Sequence, residues 1–448
     1  MQLAGKNITV LGLSISGIAV AKYAARNGAY VVITEKRSFA PRDEALLTEL
    51  NALKIKVEMG FHSDEVIKNA DIIVTSPGIP PHSDVFTSVE KYNKEVISEI
   101  DFAYLNKPEK SEFITITGTN GKTTTTKLLS EILTNAGFKA PFCGNIGIPP
   151  TSLLDEDVDF FVTEISSYQI NYTKYLKPYV SAFLNYTSDH VTWHGSEEEY
   201  LRVKASHFIG ENTPEYAVLN FQDKNVREIA DKTTAKVFAF DDEFQQECVF
   251  ERNSKIFYKK DQNIEKICDL TKARLFGRHN YQNIACAVSV AKILGVDNNI
   301  IQKTIEEFAA PEHRIEFVRE IGGIKYYNDS KATNCDSTIC ALKAFKDKVV
   351  LIAGGRDKMT DLGEFCETVV QKVSDVILIG EAAERFEQNL RSFGFKNILS
   401  ADSLEEAVDI AGKLNHGDVL LSPACASFDM FNNFEERGKA FKNYVLQK

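Results

Sequence analysis

The chain has 448 residues, enough for about three domains, and its 44 % hydrophobic and 26 % charged content is that of a globular protein. Lys and Arg number 52 against 63 Asp and Glu, a formal charge of −11, which argues against nucleic-acid partners that need a broad cationic surface. The N-terminus MQLAGKNITVLGLS lacks a signal-peptide layout, no apolar run reaches the ~18 residues of a membrane span, and the eight cysteines are scattered without a CxxC pair. We therefore expect a cytoplasmic protein with reduced thiols and neither membrane nor nucleic-acid partners.

Residues 1–100 alternate strands and helices. NITVLGL (Asn7–Leu13) is a β-branched run ending near glycine, followed by the helical GIAVAKYAARNG with Gly28 as its stop. YVVITE (Tyr30–Glu35) and ADIIVTSPG (Ala70–Gly78) are further strands, and EVISEIDF leads out. A second unit opens with FITITGTNG, strand then turn. KTTTTKLLSEILTNAG follows as a helix with Leu128, Leu129, Ile132 and Leu133 on one face. DFFVTEISSYQI and YVSAFLNYTSDH read as strand-plus-loop pieces, 223–271 as short strands, and GRHNYQNIACAVSVAKILG as a helix. A third unit, from about Pro311, holds the strand candidates KVVLIAGG, SDVILIG, FKNILSA and GDVLLSPA, separated by helices. Continuous apolar strands alternating with helices predict parallel sheets covered on both faces.

ITITGTNGKTTTT (Ile114–Thr126) is a nucleotide-phosphate loop. A strand-to-helix turn aims backbone N–H groups at one point, and the helix N-terminus adds partial positive charge. Gly118 and Gly121 allow close approach of a phosphate, Lys122 would reach the β/γ-phosphates, and the Thr123 hydroxyl suits Mg²⁺. Ile116 stands where GxxxxGK[ST] has its first glycine, so the loop is the shorter TGTNGKT. Such a loop indicates a nucleotide but does not select among ATPase, kinase and ligase.

The chain resembles the Mur ligase family of cell-wall enzymes. The resemblance rests on TGTNGKT; FVTEISSYQI with Glu164; NYTSDH with His190; EYLRVKASHF with Lys204; GRHNYQN; EHRIE; YYNDSKATN (Tyr326–Asn334); and LLSPACASFDMFNNFEERG (Leu420–Gly438). The last two favour the branch that adds D-glutamate, and no DNPR-type motif of the diaminopimelate- or lysine-adding branch is found.

The resemblance implies an α/β fold of three domains. These are an N-terminal Rossmann-like domain (1–99) for the UDP-substrate, a central P-loop ATPase-like domain (100–310), and a C-terminal Rossmann-like domain (311–448) for the amino acid. It implies a monomer that joins D-glutamate to UDP-N-acetylmuramoyl-L-alanine with ATP, through an acyl phosphate. Two Mg²⁺ ions would be held by Thr123, Glu164, His190 and Lys204, the last matching the family's N-carboxylated lysine. Lys122, Glu164, His190 and Lys204 form the implied catalytic set. Taken singly, a strand-end glutamate, a histidine after Asp189 and a helix lysine are ordinary surface residues. Gly118, Thr119, Asn120, Gly121, Lys122, Thr123 and Thr124 would contact ATP, joined by Asn280 and Asn283, one helical turn apart, and by His313, Arg314 and Asp329. Lys331, Thr333, Lys358, Ser427 and Phe434 match the D-glutamate positions. Arg356-Asp357 departs from the acidic-then-glycine pair expected there.

VLGLSISG reads G-x-S-x-x-G, with Ser14 where a dinucleotide fingerprint has its second glycine. By resemblance, Leu13 and Ser14 donate N–H groups to the nucleotide diphosphate, and Arg37, Ser76, Gly78 and Asn145 are further UDP-substrate contacts. Glu35-Lys36 replaces the expected aspartate and threonine. Three rivals are a folylpolyglutamate synthetase or other paralogue, a nicotinamide oxidoreductase built on Gly12–Gly17, and a nucleotide switch. Against them stand, respectively, the N-terminal unit joined to SPACASFDMFNNFEERG, Ser14, and the Glu164/His190/Lys204 set.

Overall fold

Strands form where the sequence sets short β-branched runs between glycine-containing turns. The computed structural model describes every residue except His190, Phe276, Ala310 and Pro311, and only the backbone of Val191 and Thr192. The chain divides into two units, Met1–Thr271 with Gln282–Glu306, and Lys272–Tyr281 with Glu307–Lys448. The first holds two sheets and the second holds one.

The N-terminal sheet contains β1 (Asn7–Leu11), β2 (Tyr30–Glu35), β3 (Lys56–Met59), β4 (Ile72–Thr75) and β5 (Val96–Ser98). All pairings are parallel, in the order β3-β2-β1-β4-β5. The order reverses between β1 and β4, which opens a crevice at their carboxyl ends. β1 stops two residues short of the predicted Leu13 because Gly12 turns the chain at φ +96°. Ser14 then caps the helix Ile15–Arg26 by accepting from Gly17 N. That helix packs Val20, Ala21 and Ala24 on Ile8, Val10, Val31 and Ile33.

The central sheet contains β6 (Glu112–Thr117), β7 (Phe142–Gly144), β8 (Phe160–Glu164), β9 (Val180–Phe183), β10 (Tyr216–Asn220), β11 (Lys236–Phe240), β12 (Glu247–Glu251), β13 (Lys255–Lys260) and β14 (Asn263–Asp269). Its order is β14-β13-β12-β11-β10-β9-β6-β8-β7. β6 is flanked by β8 and β9, all parallel, so three strand ends meet at the phosphate loop. The expected short strands of 223–271 are β11 to β14, ending in an antiparallel meander.

The third sheet lies within the second unit. It contains β15 (Glu316–Ile321), β16 (Ile324–Asn328), β17 (Val349–Gly354), β18 (Val373–Ile379), β19 (Ile398–Ser400) and β20 (Val419–Leu421), in the order β15-β16-β20-β17-β18-β19. The four predicted strands are β17 to β20. The antiparallel β15–β16 hairpin was not predicted. Its edge strand EFVREI carries three charges and half its residues face solvent, so it lacks the apolar run that marks the inner strands. Every residue of β17 is buried, with separate cores on the two faces of the sheet.

Candidate active site

The phosphate loop joins β6 to the helix Lys122–Asn135. Gly118 (φ +151°) and Gly121 (φ +85°) occupy conformations that favour glycine. A Cβ at Gly121 would also run into the Asn283 side chain, and one at Gly118 would sit 2.9 Å from Leu184 Cβ. The loop is clamped from the end of β9. Thr119 N donates to Asn185 O (3.0 Å), Asn120 N to Asn185 Oδ1 (2.8 Å), and Thr119 Oγ1 to Thr187 O (3.0 Å). Asn185 was not among the predicted site residues, although it opens the NYTSDH motif. Lys122 Nζ folds back to Gly118 O (2.9 Å) and Thr119 O (2.8 Å). The hydroxyls of Thr125 and Thr126, in the same helix, bond back to carbonyls four residues earlier. Thr124 is buried in the same turn, and Asn283, also buried, faces Gly121. Asn280 lies on the same helix and falls in the second unit.

Two sequence-predicted groups meet this loop inside the first unit. Thr123 Oγ1 donates to Glu164 Oε2 at 2.7 Å, and Asn145 Nδ2 donates to Glu164 Oε1 at 2.8 Å. Glu164 ends β8 and is 3 % exposed, so it is a held carboxylate and not a solvated one. Lys204, on the helix Glu197–Ser206, is 1 % exposed. Its Nζ donates to Gly118 O (2.9 Å), touches Thr117 Oγ1 (3.4 Å), and lies 4.9 Å from the Tyr200 ring centre. Burial first, then the nearby Lys122 charge, pulls the Lys204 pKa well below the usual lysine value. Burial and the Lys204 charge likewise lower His194 to about 4. His190 lies outside the described residues.

The carboxyl ends of the N-terminal sheet open on a cleft of about 650 Å³ lined by Leu13, Ser14, Ser76, Gly78 and Asn145, which brings five predicted UDP-substrate residues together. Ser14 Oγ and Ser76 Oγ are 2.7 Å apart. Arg37 does not line it. Its guanidinium is forked onto Asp43 (2.7 and 3.0 Å) and holds that carboxyl down at about 2. Leu13 N, expected to serve a diphosphate, donates to Glu35 Oε2 at 2.8 Å, while Arg37 N takes Glu35 Oε1 at 2.9 Å. The unusual Glu35 thus closes the loop onto itself. It also borders a neighbouring cavity of about 510 Å³ with Lys36, Phe61 and His62.

In the second unit, His313 (φ +65°) and Ile315 (φ +42°) are left-handed, a strained arrangement for a β-branched residue. The strain is held by Ile315 N donating to Asp329 Oδ1 (3.2 Å) and by Lys331 N donating to His313 O (3.1 Å). Asp329 also accepts from Ser422 Oγ at 2.7 Å, and burial lifts its pKa to about 7. The Arg314 Nε is sealed from solvent without a partner among the described residues. Lys331 Nζ lies 5.3 Å from the Phe434 ring centre, and Thr333 N bonds Lys331 O. Ser427 is buried on the loop after β20. Arg437, 1 % exposed, ties these segments together by donating to Ser330 O (2.8 Å) and Cys425 O (3.1 Å). Lys358 sits in a loop clamped by Asp357, which takes two bonds from Arg385 (2.6 and 2.8 Å) and one from Met359 N. Asp357 therefore shapes the loop. Arg437 and Arg385 were not predicted; Arg437 lies within the FEERG motif, but nothing in the local sequence marks Arg385.

A glycine-bearing strand–loop–helix cradle with a buried carboxylate and a buried lysine at its rim defines a nucleotide-phosphate-binding α/β protein. Three family models match successive stretches: the Mur ligase MurD-like N-terminal domain at 6–98, the Mur ligase middle domain at 116–291, and the Mur ligase glutamate ligase domain at 313–425. Two relatives are called UDP-N-acetylmuramoylalanine–D-glutamate ligase. That of Thermoanaerobacter pseudethanolicus is 40 % identical, covering 100 % of this chain and 99 % of its own, and that of Geobacter metallireducens is 39 % identical, covering 99 % and 98 %. Among solved structures, the UDP-N-acetylmuramate-alanine ligase MurC of Thermotoga maritima shares the fold at a TM-score of 0.61 and 17 % identity, covering 99 % of this chain and 100 % of its own. The chain belongs to the Mur ligase family.

Proposed function

We propose that this protein joins D-glutamate to UDP-N-acetylmuramoyl-L-alanine at the expense of ATP, a step in peptidoglycan precursor synthesis. The observation that carries the chemistry is the convergence of Thr123, Glu164 and Lys204 on one phosphate loop. Full-length likeness to the D-glutamate ligases supports the choice of substrates. The proposed domains are 1–99 for the UDP-substrate, 100–310 for ATP and 311–448 for the amino acid. We further propose a cytoplasmic monomer. No helix among the described residues is long and apolar enough to cross a membrane, and all eight cysteines are free.

In the first step a carboxylate oxygen of the alanyl group attacks the γ-phosphorus. The bond to the bridging oxygen breaks, giving an acyl phosphate and ADP. The neutral amine of D-glutamate then attacks the acyl carbon and loses a proton as phosphate departs. Both reactants of the first step are anions, so positive charge and N–H donors must sit at their meeting point. Gly118–Thr124 and the Lys122 ammonium supply them, with the helix N-terminus behind. The Thr123 hydroxyl and Glu164 carboxylate are adjacent hard oxygen donors, which fits Mg²⁺. Magnesium, when bound, would supply screening charge between the phosphates and the carboxylate. Thr123, Glu164, His190 and Lys204 are proposed to hold two such ions. A lysine ammonium cannot do so. The neutral amine favoured by the Lys204 site can attack CO₂, form an N–C bond and lose a proton, which leaves an oxygen ligand. Asn280, Asn283, His313, Arg314 and Asp329 are assigned to ATP by resemblance. Lys331, Thr333, Lys358, Ser427 and Phe434 are assigned to D-glutamate.

Phosphate release should require ATP, Mg²⁺, UDP-N-acetylmuramoyl-L-alanine and D-glutamate together, and equal turnover with L-glutamate would refute the assignment. Arg385→Ala should raise the KM for D-glutamate by about tenfold while the KM for ATP stays put, because it frees the loop that carries Lys358. Equal rises in both constants would mean that the Asp357–Arg385 pair supports the fold and not the amino-acid site.

A further inference from the structure

Glu99 has no part in the chemistry above, yet it lies in the substrate cleft. It opens the helix Glu99–Asn106 directly after β5 and is 4 % exposed. It lines the 650 Å³ cleft together with Ser14, Ser76, Gly144, Asn145 and Pro149. Its Oε1 is fully engaged, accepting from Thr151 N at 2.8 Å and from Thr151 Oγ1 at 2.6 Å. Its Oε2 bonds no described residue and, unlike Thr187 Oγ1 and Trp193 Nε1, is not sealed away from solvent. A buried carboxyl with one oxygen fixed and the other facing a cleft is a preoriented hydrogen-bonding group.

Resting on the ligase assignment, we infer that Glu99 is a specificity-determining residue whose Oε2 donates a hydrogen bond to an amide carbonyl of the UDP-sugar substrate. Leu13, Ser14 and Ser16 form the diphosphate end of the cleft, beneath the N-terminus of the helix Ile15–Arg26. Glu99 lines the same cleft with Gly144, Asn145 and Pro149, and Asn145 is among the residues assigned to the UDP-substrate by resemblance, so we assign this part of the lining to the sugar and its peptide amides. Two donors on Oε1 leave the proton to Oε2. Burial lifts the Glu99 pKa to about 7, only partly offset by the Thr151 bonds. A substrate that displaces water from the cleft favours the neutral form further.

The test is steady-state kinetics on the full-length protein, varying each substrate in turn. Glu99→Leu should raise the KM for UDP-N-acetylmuramoyl-L-alanine about tenfold, the loss of one hydrogen bond to a buried group, and leave those for ATP and D-glutamate within about twofold. Glu99→Gln keeps an acceptor for Thr151 and places an N–H₂ donor at the Oε2 position, so its KM should stay within about threefold of the parent. The inference is overturned if Glu99→Leu leaves that KM unchanged or shifts all three constants alike. It is also overturned if glutamine is as harmful as leucine, since that would make the ionised oxygen an acceptor. If Glu99→Leu does not fold, the glutamine variant decides alone: a retained KM supports the donor and a tenfold rise removes it. Absence of any turnover of the UDP-sugar by the parent protein would instead refute the ligase assignment.

Discussion

Lys204→Ala should lower kcat/KM for ligation by about 10³-fold, and bicarbonate or a short carboxylic acid should restore part of it. Removing one preorganised charge-stabilising group from a buried site costs on that order. Carboxylated Lys204 would be such a group: the side chain is buried, burial and the Lys122 charge pull its pKa well below the usual lysine value, and its Nζ is 2.9 Å from the Gly118 carbonyl of the phosphate loop. A small carboxylate can enter the space that alanine leaves and offer the oxygen that a carboxylated lysine would have offered. Lys204→Met separates this role from a packing role. Methionine nearly fills the volume without a buried amine, so the fold should keep or gain thermal stability while activity is lost. Activity of either variant within tenfold of the parent, without rescue, would remove Lys204 from the mechanism. A mass increase of one CO₂ on the intact protein, absent from both variants, would report the modification independently of turnover.

The sequence made the inner strands legible for a simple reason. Parallel strands buried on both faces are uninterrupted apolar runs, as in VVLIAG, and β-branched residues between glycines leave few alternatives. It was weakest where strands are exposed on one side, as in the β15–β16 hairpin, whose charged residues hide its alternation. The candidate site was legible in residue type and order but not in burial. Glu164 and Lys204 read singly as solvated charges, and only the fold places Lys204 beneath the loop at 1 % exposure. Residues that act by holding others were the least legible. Asn185, Arg385 and Arg437 bond mainly to backbone or to a loop carboxylate distant in sequence, and such pairings have no local signature. The departures Glu35 and Asp357 became interpretable only through their partners, the Leu13 N–H and Arg385.

Lys122→Ala should lower kcat/KM by about 10³-fold, or ~4 kcal/mol of transition-state stabilisation. Lys122 is the first residue of its helix, so its ammonium adds to the partial charge of the helix N-terminus at the point where the phosphates would lie. Lys122 Nζ donates to the Gly118 and Thr119 carbonyls at 2.9 and 2.8 Å. The same two bonds preorganise the loop, so alanine removes both an electrostatic contact and a tether. The two effects are separable. Lost tethering alone would loosen the loop, weaken ATP binding and raise the KM for ATP with little change in kcat. Lost charge acts as negative charge shifts between the γ-phosphate and the attacking carboxylate, and it lowers kcat. The expected outcome is a fall dominated by kcat, with a thermal midpoint close to that of the parent, because the Asn185 clamp still holds Thr119 and Asn120. Lys122→Arg should not restore activity, since a planar fork cannot reproduce a compact ammonium that reaches two carbonyls three and four residues back. A Lys122→Ala protein with kcat within tenfold of the parent would exclude Lys122 as the charge that screens the phosphoryl transfer.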